Sequence, residues 1–138
     1  MVVEHDVIRD SLTRLAQAES SKQVSSSAAG NIRRWLTDSE YSEYLPQLTE
    51  LIREGRWQEL NDVFWQVIPF GTGGRRGRMF PVGTNAINDR TIGESAQGVA
   101  DYVRSVFPQR SLSCVIAYDT RHRSREFAEL CAEVFAAS

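Results

Sequence analysis

The sequence predicts an α/β protein with a helical first half, and three observations carry that assignment. Apolar residues recur at helical spacing through most of residues 4–65. A second helix–strand–helix pattern runs from Thr91 to Ser138, the order expected of helices layered on a sheet. Between the two, 70-FGTGGRRGRMF-80 packs four glycines and three arginines into eleven positions. That stretch is too glycine-rich for a helix or strand interior and divides the halves.

Taken in order, residues 4–19 place Ile8, Leu12 and Leu15 on one helical face. The stretch 20-SSKQVSSSAAG-30 has two readings. It is a serine-rich linker, or it opens a second helix in which Val24, Ala28, Ile32 and Trp35 keep helical spacing. The segment 37-TDSEY-41 offers N-caps to a helix carrying Leu48, Leu51 and Ile52, which ends near Gly55. A short helix over 57-WQELNDVFW-65 leads toward Pro69.

After the glycine–arginine loop, 79-MFPVGTNAINDR-90 is rich in turn formers and reads as extended or irregular. The run 91-TIGE-94 reads as a capping box, with Thr91 as N-cap of a helix that stops before Pro108. A compact apolar run, 112-LSCVIAY-118, suits a buried strand. Residues Asp119 to Arg123 form a polar turn, Ser124 is the expected N-cap, and a final helix carries Phe127, Leu130, Cys131, Val134 and Phe135. One strand cannot make a sheet, so the α/β layer is expected to be unfinished at Ser138.

Composition narrows the function classes. The charge is uneven: residues 1–68 hold eleven acids against seven bases, a balance of −4, and residues 69–138 hold nine bases against seven acids, a balance of +2. A net charge of −2 argues against a general nucleic-acid binder. No apolar run approaches the ~20 residues of a membrane span, and the acidic start is unlike a signal peptide. A cytoplasmic location, without a nucleic-acid or membrane partner, is the expectation. Cys114 and Cys131 are expected to be reduced core thiols, and His5 and His122 are too few and too far apart for a histidine metal site.

Two polar loops carry what chemistry there is. The first fits neither a Walker A pattern nor a dinucleotide fingerprint. Its glycines nevertheless let backbone amides converge on an oxyanion, Thr72 adds a hydroxyl, and Arg75, Arg76 and Arg78 can add charge-assisted bonds. The bland alternative is an exposed Arg/Gly turn, and this loop taken alone favours it. The second loop, 118-YDTRHRSRE-126, lies between the expected strand and helix, where ligands of open α/β sheets collect. Arg121, His122 and Arg123 can face one anion there, with Asp119 holding an arginine by a salt bridge. A plain capped turn is an equally good reading of this loop by itself, and the two loops together favour a phosphate site.

The run FGTGGRRG, then 84-TNAINDRTIGESAQGVADYV-103, then 115-VIAYDTRHRSREFAELCAEVFAA-137, closely resembles the start of domain I of the phosphohexomutases. The combination FGTxGxRG, TIxxxxQG and YDxRxxSxxFA is specific, and the likeness runs from about Trp35 to the end. The acidic lead-in 34–65 resembles the helical extension of the phosphoglucomutase/phosphopentomutase-type branch.

The resemblance implies a helical extension over residues 1–66 and the first part of a three-layer α/β/α domain I over 67–138. It also implies a phosphoserine that donates its phosphoryl group to a sugar monophosphate and takes the other phosphate back, assisted by Mg²⁺. By motif position, Arg76 is the arginine that contacts the reacting phosphate. Arg121 lies close to the phosphoserine loop, and Thr72, Gly73, Gly74, Gly77, Asp119 and Ser124 support the two loops. Arg75 and Ala86 depart from the family's usual residues.

The family's TASHNP serine loop, its Mg²⁺ motif DGDxDR and its sugar-selecting GEESG loop are not among these 138 residues. The chain is therefore expected to be an amino-terminal fragment, inactive alone, with no catalytic residue and no metal ligand of its own and with a tendency to self-associate. The competing expectation is a non-catalytic phosphate-binding remnant or interaction module.

Overall fold

The computed structural model describes the backbone of residues 2–138 and the side chains from His5 onward. The chain is mixed α/β, with six α-helices and two small two-stranded sheets among the described residues. It divides into two compact units, the first running to Asn88 and the second from Asp89 to Ser138.

In the first unit, α1 (Val2–Ser20) packs on α2 (Ser26–Thr37) and α3 (Leu45–Arg53), and α4 (Trp57–Phe64) packs on α2. Of the two readings of residues 20–30, each holds for part of the stretch: a turn separates α1 from α2, and α2 begins at Ser26. The turn is a Schellman motif. Lys22 is left-handed at φ 58° while its amide reaches Glu19 O at 3.0 Å and the Gln23 amide reaches Ala18 O at 2.9 Å. Ser25 then caps α2 by accepting the Ala28 amide at 3.3 Å.

A 3₁₀ segment (Ser39–Tyr44) leads into α3, which ends as expected near Gly55. Gly55 has φ 69° and repeats the Schellman pattern, its amide on Ile52 O and that of Arg56 on Leu51 O, both at 3.1 Å. The core of this unit centres on Trp35, 1% exposed, which stacks on Tyr41 at 4.7 Å and meets the ring of Phe64 edge-on at 5.3 Å. Truncating such a side chain typically costs about 3–5 kcal/mol.

The glycine–arginine stretch belongs to this first unit. β1 (Phe70–Gly71) pairs antiparallel with β2 (Gly74–Arg75), and β3 (Arg78–Met79) pairs parallel with β4 (Ala86–Ile87). Val82 and Ala86 are fully buried members of the helical core. The link from β3 to β4 passes Gly83, whose φ of 113° and close approach to Val63 leave no room for a side chain.

In the second unit, α5 (Asp89–Val106) packs on α6 (Ser124–Ala137). Two expectations are corrected here. Thr91 is not the first residue before the helix, because α5 begins at Asp89 and puts Thr91 inside the first turn. Its carbonyl there accepts the Ser95 hydroxyl at 2.7 Å, and Glu94 pairs with Arg90 at 2.6 Å. The expected buried strand at 112–118 joins no ladder among the described residues, and Val115 is 97% exposed. Its sequence is that of a strand, but a strand needs a neighbour to bond to. Beside it lies an open apolar cleft of about 960 Å³, lined by Val99, Val103, Phe107, Leu112, Ile116 and Phe135.

Candidate functional site

The first loop proves to be a tight hairpin. Phe70 pairs with Arg75 and Gly71 with Gly74, leaving Thr72 and Gly73 as a two-residue turn. Gly73 at φ 77° and Gly74 at φ 138° occupy backbone regions that side-chain-bearing residues rarely adopt, which explains their presence. Gly77 lies against the end of a side chain instead: an added Cβ there meets Ile68 Cδ1 at 2.8 Å, a contact that a shift of the isoleucine can relieve.

The three arginines differ in setting. Arg75 is half-buried with its guanidinium 6.0 Å from the ring centre of Phe70. Arg78 lies over Phe80 at 4.9 Å. Arg76 is exposed and enters no ion pair, hydrogen bond or ring contact among the described residues.

The second loop is an ordered turn in the second unit. Asp119 organises it by accepting the Arg121 amide at 3.0 Å and Arg121 Nε at 2.8 Å. The Asp119 amide donates to Ser124 Oγ at 3.1 Å. The Arg121 amide above all, followed by its guanidinium and the Ser124 hydroxyl, holds the Asp119 carboxyl below the usual carboxylate range. Arg121 is exposed apart from this pairing.

Ser124 is not the N-cap, which corrects the expectation. Arg123 occupies that position at φ 58° without a side-chain cap, and Ser124 is the first helical residue, braced against Asp119. Arg123 pairs instead with Asp89 at 2.8 Å and lies 4.8 Å over the ring of Phe127. His122 is exposed.

Neither cysteine is buried, again unlike the expectation. Cys114 is exposed because the strand meant to carry it inward has no partner. Cys131 is half-buried, and burial pushes its thiol up from the ordinary value. Among the described residues no cluster of three or more His, Cys, Asp or Glu side chains is placed to hold a metal ion.

The residues that hold the hairpin in place were not singled out from the sequence. The last four carbonyls of a helix lack intrahelical partners. At the end of α4, Asn61 O takes the Trp65 amide at 3.0 Å and Val63 O the Asn85 amide at 2.8 Å. Asp62 O takes Asn85 Nδ2 at 3.0 Å, and Phe64 O takes Asn31 Nδ2 at 2.6 Å. Thr84 and Asn85 also grip the chain leading into the hairpin. Thr84 Oγ1 donates to Gln66 O at 2.6 Å, Gln66 Nε2 donates to Asn85 Oδ1 at 3.1 Å, and Ile68 N donates to Thr84 O at 2.7 Å. The only local hint was the density of Thr and Asn in 84-TNAIN-88.

A mixed α/β chain with arginine-bearing loops before and after its long α5 is the class defined so far. The family model for phosphoglucomutase/phosphomannomutase, alpha/beta/alpha domain I, matches residues 67–138, and this chain belongs to that family. It is 34% identical over 104 residues to a phosphoribomutase of Saccharomyces cerevisiae, which covers 75% of this chain and 16% of the relative. It is 35% identical over 109 residues to a human phosphopentomutase, covering 74% and 18% respectively. With a phosphoglucomutase of Staphylococcus aureus it is 40% identical over 78 residues, covering 56% and 14%. The chain spans about a sixth of the length of the curated relatives it matches. No solved structure matches it significantly. No helix among the described residues is long and apolar enough to cross a membrane.

Proposed function

We propose that this chain supplies part of the phosphate-contacting surface of a phosphosugar mutase. The reaction moves a phosphoryl group between the 1- and 6-positions of hexose phosphates, or the 1- and 5-positions of pentose phosphates. In the first half, the phosphoserine O–P bond breaks as a sugar hydroxyl oxygen bonds to phosphorus, leaving a free serine and a sugar bisphosphate. In the second, the serine oxygen bonds to the other phosphorus as that phosphorus's bond to the sugar oxygen breaks, leaving a sugar hydroxyl on a sugar monophosphate and restoring the phosphoserine. The serine and the Mg²⁺ ligands are not among these residues, so the chain alone is inactive, and the mutase works in the cytoplasm. Residues 1–66 act as a helical extension to the domain beginning at 67.

The observation that carries this reading is the contrast between adjacent arginines. Arg75 is half-buried beside Phe70, whereas Arg76, the residue that follows the glycine-shaped hairpin, is exposed with its charge unspent within the described residues. An exposed guanidinium can meet a phosphate with two parallel hydrogen bonds. Thr72, Gly73, Gly74 and Gly77 shape the backbone that presents it. Arg121 is the second phosphate contact, held in its turn by Asp119 and Ser124.

The test is interconversion of glucose 1- and 6-phosphate, and of the mannose and pentose pairs, by the complete protein that carries these residues. Arg76→Ala is expected to lower turnover about 10²-fold or more, as for loss of one electrostatic stabiliser, and Arg75→Ala far less. Equal effects would mean that the wrong arginine has been assigned. No turnover of any pair would favour the phosphate-binding remnant.

A further inference from the structure

The geometry points to Asn85 and Asn31 as positioning residues that fix the arginine hairpin by capping the end of α4, an inference that rests on the reading of Arg76 as a phosphate contact. Three of the four terminal carbonyls of α4 are satisfied from outside the helix. One asparagine supplies two of those bonds through its amide nitrogen and side chain, and another, from α2, supplies the third. Asn85 is therefore joined to the helical core on one side. On the other, its side-chain oxygen holds Gln66, and its neighbour Thr84 holds Gln66 O and the Ile68 amide.

These bonds grip both ends of the segment that contains the hairpin. Residues 66–68 enter it and residues 84–85 leave it, so the hairpin is a loop closed at its base. Ile68 then packs beneath Gly77, one residue beyond Arg76. Arg76 directly follows the second of two short strands, at the open end of the ribbon, and has little order of its own because a two-stranded ribbon is only marginally stable in water. Its placement comes from the clamp. Preorganised charge of this kind is what a phosphoryl-transfer site requires.

The experiment titrates inorganic phosphate into the isotope-labelled full chain and reads amide hydrogen exchange at Arg75–Met79 in the same samples. Asn85→Asp keeps the oxygen that faces Gln66 and loses the donor that reaches Asp62. It is expected to speed hairpin exchange about tenfold and to weaken phosphate about three- to tenfold, the scale of one lost hydrogen bond. Leu48→Val lowers stability from the core, away from the cap, and leaves both readouts unchanged if Asn85 acts by position. Asn31→Gln, which retains an amide donor, stays closer to the original protein than Asn31→Ala.

Unchanged hairpin exchange in Asn85→Asp overturns the inference, as does an equal response to Leu48→Val. Arg76→Ala separates the two layers: if it leaves phosphate binding intact, the reading of Arg76 fails and exchange alone decides the role of Asn85. Should Asn85→Asp not fold, Thr84→Val removes only the hydroxyl on Gln66 O and is expected to speed hairpin exchange about threefold, with no change again overturning the inference.

Discussion

Gly83→Ala is the substitution whose cost can be worked out most directly. Gly83 sits at φ 113°, and a Cβ placed there would lie 2.5 Å from Val63 O, 2.7 Å from Val63 Cβ and 2.8 Å from Val63 Cγ2. The backbone conformation alone costs a side-chain-bearing residue about 1–3 kcal/mol. The overlap cannot be relieved by a rotamer change, because a carbonyl oxygen and a Cβ move only with the helix. Overpacking of that kind adds about 1–3 kcal/mol. The displaced carbonyl is also the acceptor of the Asn85 amide.

A total near 4 kcal/mol is a large share of the ~5–15 kcal/mol that holds a typical domain together. All three tryptophans, Trp35, Trp57 and Trp65, lie in the first unit, so their fluorescence reports its unfolding in urea. The midpoint is expected to fall by about 2 M at a slope near 2 kcal/mol per M. Gly73→Ala is the control: its φ of 77° is unfavourable but nothing lies within 4 Å, so it should cost only about 1–2 kcal/mol. A Gly83→Ala protein no less stable than Gly73→Ala would refute the reasoning.

Other expectations concern the second unit. Iodoacetamide at pH 8 should label exposed Cys114 about tenfold faster than half-buried Cys131, whose thiol burial holds protonated; peptide mass mapping reads the order, and equal rates would contradict it. The carboxyl of Asp119 is lowered in the folded turn. Its contribution is therefore present above the unfolded value near pH ~4 and lost as pH falls through the lower folded value. The Arg121 amide resonance should shift in that acid range, and no shift there would remove Asp119 as the organiser of the turn. The exposed segment with Leu112 and Val115 should drive concentration-dependent association visible by sedimentation, reduced by Val115→Lys. A single monomeric species at every concentration would contradict this.

The parts of the fold that could be read from the sequence are those with local causes. Gly55 marks the end of α3 because a left-handed C-cap favours glycine, and helical spacing placed Leu15, Ile32 and Leu48 in the core. The arginine loop was legible as glycine-dependent because Gly73 and Gly74 need their backbone freedom. Other features depend on distant partners. Thr91–Glu94 has the pattern of a capping box, yet Asp89 and Arg90 continue the helix past it. Lys22 and Arg123 take left-handed conformations that glycine would ordinarily mark. Asn85 caps a helix that ends twenty-one residues earlier, at Phe64, and no spacing rule connects the two.

The clamp at the end of α4 bears on how such a chain can be divided. The family match begins at residue 67, but Val82 and Ala86, inside that match, are buried in a core built by residues before it. A gene cut at 67 would strand Asn85 with no helix end to bind and would turn Val82 toward water. Any transplant of the arginine hairpin into another scaffold must carry at least α2 and α4 with it, so the unit of inheritance here is larger than the unit of sequence likeness.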